Sequence, residues 1–382
     1  MTPRDTCLVC GDRLLEQPLL RYHNMPKAAQ HFPAGDEIAE ERGADLTVCQ
    51  CSACGLVQLS DAPVPYYRDV IRAAAVSQPL QALKKSQFAR LVEQYDLEGR
   101  KVIEIGCGKG EFLALWEGLG VRAHGLEHAE DAVAACRAQG LEVSHGYIDS
   151  AEARLPCAPY DAFVLLMFLE HMPVPNGALS GIRNNLAEGA VGLVEVPNFD
   201  MMVRNRVFAE FIADHLLYFT RDTLAFTLQR NGFEVIECVE LRDDYVLSAV
   251  VRKRQPFDLS GFREAQKSIM LELSSFFNRY PPGSVAIWGA GHQALAMISL
   301  ARIAEQIKYV VDSAPFKQGR YTPASHLPIV SPDWLDKSPP SALIVMAGSY
   351  SEEVAMIAIN SHHINDVAIF DGAKLSFNNE CR

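Results

Sequence analysis

Lys101-Val-Ile-Glu104-Ile-Gly106-Cys-Gly108-Lys-Gly110 reads as a short apolar β-strand that breaks into a glycine turn. Glycines at these positions let the backbone reverse sharply into a following helix, expected from Glu111, and let a ligand approach the main chain. His124-Gly-Leu-Glu127 follows as a second buried strand ending on a carboxylate, with a helix expected across residues 129–139. A carboxylate at that strand end can accept both hydroxyls of a ribose. Acidic Glu104, just before the glycines, suits the cationic methionine end of S-adenosylmethionine better than it suits the diphosphate of a dinucleotide. Glu104, Gly106, Gly108 and Glu127 are therefore the expected methyl-donor ligands, with a nicotinamide dinucleotide as the alternative.

Outward from this turn the pattern stays that of alternating strands and helices. Apolar residues recur at helical spacing over residues 80–97, strands are expected at 162–166 and 191–195, and an antiparallel pair at 235–241 and 245–252. An aromatic-rich insertion, residues 205–220, precedes that pair. The polar run Lys253-Arg-Gln-Pro256 marks a boundary, followed by an amphipathic helix over residues 259–278 and by Pro281-Pro-Gly283. Val285-Ala-Ile-Trp288 then leads into Gly289-Ala-Gly291, a helix, a strand ending at Asp312, and strands at 342–346 and 367–370. The order strand, glycine turn, helix, strand, acid thus occurs twice, which predicts two doubly wound α/β units of Rossmann-like topology. Gly289, Gly291 and Asp312 would hold a nucleotide, nicotinamide included, or would keep the turn without any ligand. Lys317 is placed to meet a diphosphate or to face solvent.

The first 75 residues have little periodicity and are rich in Pro, Gly and Cys, so they need a staple in place of a large core. Cys7-Leu-Val-Cys10 and Cys51-Ser-Ala-Cys54 are two knuckles able to supply four thiolates to a structural zinc. Four thiolates leave no open position for catalysis, and two matched pairs exceed what a redox dithiol needs. Cys49 is a spare. Three parts result: a zinc-binding module over 1–75, a methyl-donor domain over 76–255 and a second Rossmann-like domain over 256–382.

Bulk properties narrow the partners. With 49% hydrophobic and 21% charged residues the 382-residue chain is of globular composition, and a net charge of −12 disfavours a phosphate backbone, so nucleic acid is not expected. No export signal is visible, and the longest apolar stretch, Asp161-Ala-Phe-Val-Leu-Leu-Met-Phe-Leu169, is too short to span a bilayer. A cytoplasmic location is expected, and no membrane partner. Oligomeric state is not legible.

Four segments together carry a resemblance: the paired knuckles running into Gly55-Leu-Val-Gln58, then Glu104-Ile-Gly-Cys-Gly108, then Phe168-Leu-Glu-His171-Met-Pro, then Asp214-His215-Leu-Leu-Tyr-Phe219. The sequence resembles the nucleotide-sugar C-methyltransferase family, and Gly289-Ala-Gly291, Val310-Val-Asp312-Ser-Ala-Pro-Phe-Lys317 and Ala347-Gly-Ser-Tyr-Ser-Glu-Glu353 resemble that family's last domain. The resemblance implies a zinc-containing, S-adenosylmethionine-dependent enzyme that methylates C-3 of a nucleotide-linked 4-keto deoxysugar through an enolate, with the last domain helping to hold the nucleotide sugar. It makes His215 the first candidate base, with Asp214 orienting the ring and favouring its imidazolium form. His171 is the next, at the strand edge where such sheets bind ligands, and Phe168 is an expected donor contact. Tyr66, Tyr67 and Arg72 are candidates to line the substrate cleft or simply to pack on it. Where the family commonly has Tyr-x-Glu-His, this chain has Ile212-Ala-Asp214-His215. An O-methyltransferase on a sugar or related metabolite is the enzymatic alternative, and a non-catalytic nucleotide-binding zinc protein the alternative of another class.

Overall fold

The computed structural model describes residues 4–27, 32–68 and 76–377, which separate into two compact units, Met1–Pro256 and Phe257–Arg382. In the first unit, β1 (Leu20–Met25), β2 (Ala44–Gln50) and β3 (Val57–Leu59) form an antiparallel sheet beside the two cysteine knuckles. After α1 (Gln78–Gln94) comes β4 (Lys101–Ile105), a 3-10 turn over Leu113–Trp116, β5 (Arg122–Glu127), α2 (Glu130–Ala138), β6 (Val143–His145) and β7 (Tyr160–Leu166). The α-helix expected from Glu111 is thus only that 3-10 turn, because Gly108, Gly110, Gly118 and Gly120 bracket it with positive φ on both sides. The chain continues through α3 (Pro175–Asn184), β8 (Leu186–Pro197), α4 (Phe199–Asn205), β9 (Leu217–Tyr218), α5 (Arg221–Arg230), β10 (Phe233–Leu241) and β11 (Val246–Lys253).

Seven of these strands build one sheet in the order β10-β11-β8-β7-β4-β5-β6, with all neighbours parallel except β11, which runs antiparallel between β8 and β10. This is the strand arrangement of class I methyltransferases. β4 is an interior strand between β7 and β5 with both its faces covered, which is why Lys101-Val-Ile-Glu-Ile105 reads as a continuous apolar run around one acid. Alternation sends Val102 toward α1, where the Phe88 and Trp116 rings stack at 4.1 Å, and Ile103 and Ile105 toward the opposite core of Leu179, Ile182 and Leu224. Fully burying Phe88 alone contributes about 1.5–3 kcal/mol.

The insertion before α5 is not a separate appendage. Its strand β9 pairs with β3, and so completes the N-terminal sheet as β1-β2-β3-β9. The residues that follow the cysteine knuckles and those around His215 are hydrogen-bonded into one layer by that pairing.

The second unit opens with α6 (Ser260–Phe277) and β12 (Val285–Trp288), then α7 (His292–Ala301), β13 (Ile307–Val311), β14 (Ile329–Val330), α8 (Trp334–Lys337), β15 (Ala342–Val345), α9 (Ser351–Asn360), β16 (Val367–Phe370) and β17 (Leu375–Phe377). Its six-stranded sheet has the order β14-β13-β12-β15-β16-β17, parallel except for β17. Gly289 closes β12 at φ +121, and a Cβ there would sit 2.4 Å from the Met346 carbonyl oxygen, so only glycine lets the two strand ends approach. No helix among the described residues is long and apolar enough to cross a membrane.

Candidate active site

The carboxyl edge of the large sheet is built around the glycine turn. Gly106 leaves β4 at φ +71, and an added Cβ would meet the Phe168 ring at 3.1 Å. The Gly106 and Cys107 amides both donate to the Leu126 carbonyl, which fixes the turn against β5. Glu127, 8% exposed at the end of β5, accepts the Gly108 N–H through Oε2 at 2.8 Å and the His128 and Ala129 N–H groups through Oε1 at 2.8 and 2.9 Å. Three backbone donors therefore hold the carboxylate in one orientation and bind the turn to it. Glu104 is buried within β4, and Phe168 follows Met167, whose φ of +54 places a non-glycine residue in the left-handed region. Such a conformation costs about 1–2 kcal/mol and is typical of the strand ends that carry functional groups.

A wall of aromatic rings adjoins Glu127. Tyr147, just past β6, meets Phe168 edge-on at 6.1 Å, His128 at 5.9 Å and Tyr67 at 6.0 Å between ring centroids. Arg68 bonds the Tyr67 hydroxyl at 3.0 Å and Asp149 at 2.9 Å, and lies over the Tyr147 ring. Tyr66 and Tyr67 are partly buried and Tyr67 lies against the Tyr147 ring, whereas Arg72 lies outside the described residues. Tyr147, Asp149 and Arg68 were not legible as site residues, since nothing in their spacing separates them from ordinary surface aromatics and ions.

Both candidate bases converge on the far side of Phe168. His171 sits in a 3-10 turn after β7, its centroid 6.3 Å from Phe168 and 4.7 Å from His215, with the two imidazoles edge to face. Its Nδ1 donates to the Asp214 backbone carbonyl at 2.8 Å, which leaves Nε2 with a lone pair. Burial pushes His171 down to about 4 despite that carbonyl, and burial with the neighbouring His171 pushes His215 down to about 3. Both rings are therefore neutral at physiological pH, the form a general base requires. The imidazolium expected beside Asp214 is not what this environment favours, because desolvation outweighs the nearby acid. The Asp214 backbone carbonyl orients the His171 ring.

Glu170 is the residue sequence reading passed over. It is 1% exposed, its two carboxyl oxygens have no hydrogen-bond partner, and burial pushes it up to about 8. In the sequence, a Glu that ends an apolar run gives no sign of which way it turns. A second unforeseen feature is Lys84 of α1, 3% exposed, ion-paired to buried Glu195, whose other oxygen accepts from Gln87 at 2.8 Å and Ser248 at 3.1 Å.

The four knuckle thiols converge. Cys7 and Cys54 Sγ lie 3.6 Å apart, Cys10 and Cys51 Sγ 3.3 Å, and all four within 4.8 Å of one another, whereas Cys49 is buried in β2 and is not among them. A tetrahedral zinc with bonds of about 2.3 Å sets its sulfurs about 3.8 Å apart, so the donor set fits that ion. Burial raises Cys7 to about 11; against burial, the Cys54 and Ala53 amides and neighbouring thiols draw Cys51 down to about 7. Buried Gln58 anchors the cluster by accepting from Leu8 N–H at 2.8 Å and donating to the Thr6 carbonyl at 3.3 Å.

In the second unit Asp312 follows β13 and receives Ala290 N–H at 2.9 Å, Ala314 N–H at 2.8 Å and the Lys317 ammonium at 2.7 Å. Although burial opposes it, these donors hold its carboxyl below the usual range. Lys317 also bonds the Ala290 carbonyl at 3.2 Å, so within this unit it braces the turn between Gly289 and Gly291.

The sequence matches a methyltransferase-domain family over residues 78–238 and a C-methyltransferase C-terminal domain family over residues 258–365. C-methyltransferase NovU of Streptomyces niveus is 24% identical, with 92% of this chain and 91% of that protein covered. The matches give the chain a methyltransferase domain followed by a C-methyltransferase C-terminal domain, and it is similar to a C-methyltransferase along nearly its whole length. It is an enzyme, an S-adenosylmethionine-dependent methyltransferase acting on a small molecule, and the dinucleotide reading of the first glycine turn and the non-catalytic reading of the whole are set aside. A ubiquinone biosynthesis O-methyltransferase of Burkholderia vietnamiensis is 28% identical over 39% of this methyltransferase and 67% of its own length. Among solved structures, a methyltransferase from Clostridium acetobutylicum aligns with a TM-score of 0.41 at 11% identity, covering 50% of this enzyme and 96% of that chain.

Proposed function

We propose that this methyltransferase installs a carbon-bound methyl group at C-3 of a nucleotide-linked 4-keto deoxysugar, working as a zinc-containing protein. The observation that carries the reading is the unbroken series Gly106, Phe168, His171, His215, in which the buried Phe168 ring packs on the donor turn and on His171, and His171 packs in turn on His215. The similarity to the C-methyltransferase NovU along both units supports carbon as the acceptor.

S-adenosylmethionine supplies an electrophilic methyl on a sulfonium, and the donor set fits it: Glu127 for the ribose, Glu104 for the cationic amino-acid end, and the turn from Gly106 to Gly108 for close backbone approach. His215 takes the proton from the carbon next to the ketone, so the C–H electron pair passes into an enolate and the proton rests on the imidazole. The enolate carbon then forms its bond to the methyl as the sulfur–methyl bond breaks to a neutral thioether. His171, with Nδ1 committed to Asp214, presents Nε2 beside it as the second candidate. Tyr66, Tyr67 and Arg72 are assigned to the substrate side, and Gly289, Gly291, Asp312 and Lys317 to the nucleotide sugar. Cys7, Cys10, Cys51 and Cys54 would hold zinc as a staple for a module over 1–75, ahead of a donor domain over 76–255 and a third part over 256–382.

His215→Ala tests the mechanism: methyl transfer falls by a factor of about 10²–10⁴ with donor affinity kept. Full turnover in that variant rejects His215 as base. The similarity to a ubiquinone biosynthesis O-methyltransferase over 39% of the chain favours oxygen as the second choice of acceptor. In deuterated water, carbon methylation exchanges the C–H beside the ketone and oxygen methylation does not.

A further inference from the structure

Glu170, His171 and His215 present one donor atom each, and these atoms lie within 4.8 Å of one another. Glu170 Oε1 stands 3.9 Å from His171 Nε2. Two segments far apart in sequence carry them, and two hydrogen bonds lock these together: Leu216 N–H to the Glu170 carbonyl at 2.9 Å, and His171 Nδ1 to the Asp214 carbonyl at 2.8 Å. The second bond leaves the His171 Nε2 lone pair on the side of Glu170, the arrangement by which a backbone carbonyl orients a metal-binding imidazole. Glu170 is 1% exposed with neither oxygen hydrogen-bonded, and a buried carboxylate in that state costs several kcal/mol unless a proton or a cation compensates it.

We propose that Glu170, His171 and His215 form a second metal site, separate from the four thiolates, that takes a divalent first-row transition cation. One carboxylate and two neutral imidazoles are a donor set of intermediate hardness, suited to cobalt, iron, manganese or zinc and unlike the soft, closed thiolate cluster. Bonds of about 2.1 Å require donors about 3.0–3.4 Å apart, so the side chains need to draw in by roughly an ångström. His215 is less fully buried than Glu170 and His171, so it is the member of the trio nearest to solvent. An ion in this site uses the lone pair assigned above to the base. Bound cation therefore stops methyl transfer, a consequence that rests on the reading of His215, whereas binding itself does not.

The test uses full-length protein whose thiolate cluster has been filled with zinc, titrated with cobalt(II) chloride alone and followed by visible absorption and by equilibrium dialysis. One further cobalt per chain is expected, with d–d bands free of thiolate charge transfer. Glu170→Gln, and separately His215→Gln on the open side, weaken that uptake at least about tenfold, with melting temperature recorded for each. No second cobalt at millimolar concentration overturns the site, as does uptake equal to wild type in both folded variants. Uptake that both variants lose, with methyl transfer indifferent to cobalt, establishes the site and removes His215 from the base role.

Discussion

Glu127→Gln separates donor binding from every other property of the enzyme. In the native protein one carboxylate oxygen accepts two backbone N–H groups and the other accepts the Gly108 N–H of the glycine turn. A glutamine keeps its oxygen toward the pair and turns its NH₂ against Gly108 N–H, so a charge-assisted hydrogen bond is replaced by two facing donors. Loss of such a bond costs about 1.5–3 kcal/mol. A charge-assisted hydrogen bond of the same strength to a ribose hydroxyl is lost, since the amide keeps one acceptor oxygen where the carboxylate had two. At 1.4 kcal/mol per tenfold, affinity for S-adenosylmethionine falls by about 10- to 150-fold. Calorimetric titration with the donor and with S-adenosylhomocysteine measures it, and far-ultraviolet circular dichroism checks the fold. Affinity within threefold of wild type in a folded variant refutes the assignment of Glu127 to the donor.

Gly106→Ala, with φ +71 and the Phe168 ring 3.1 Å from the new Cβ, displaces that ring and lowers both donor affinity and turnover; Gly99→Ala, with positive φ but open space around it, serves as the control in the same assays. Lys84→Ala leaves Glu195 buried with only Gln87 and Ser248, and costs about 3 kcal/mol, a fall of about 6–12 °C in the melting temperature of the first unit by calorimetry. Cys51→Ser, or removal of metal by a strong chelator, abolishes bound zinc measured by atomic emission and unfolds the N-terminal sheet first, seen as early loss of amide protection. Asp312, held low by its donors, contributes stability that is present above the unfolded carboxyl range and lost as pH falls through its folded value; Lys317→Ala raises that folded value, so acid unfolding of the second unit followed by tryptophan fluorescence begins at higher pH.

The central strands were legible because parallel strands covered on both faces have to be written as apolar runs, and Lys101–Ile105 and Tyr160–Leu166 are such runs. The position of Glu127 at a strand end and the convergence of the four cysteines were legible for a related reason: both depend on spacing along the chain. The helix expected after Gly110 was not formed, since glycine punctuation at Gly118 and Gly120 limits it to one 3-10 turn. What spacing does not carry is pairing between distant segments. That Leu217–Tyr218 would join the N-terminal sheet, that Asp214 would act through its carbonyl, and that Glu170 would turn inward are outcomes of tertiary packing. The same holds for Lys84 and Glu195, two ordinary charges until α1 lies across the sheet.

Transfer of an isotope-labelled methyl from S-adenosylmethionine to a nucleotide-linked 4-keto deoxysugar, read by NMR of the purified product, is the most direct examination of the proposed chemistry. The labelled methyl should couple to a ring carbon adjacent to the ketone, in a reaction that wild type performs and His215→Ala does not. A label bound to oxygen, or no labelled sugar from an enzyme that binds its donor normally, contradicts carbon methylation at this site.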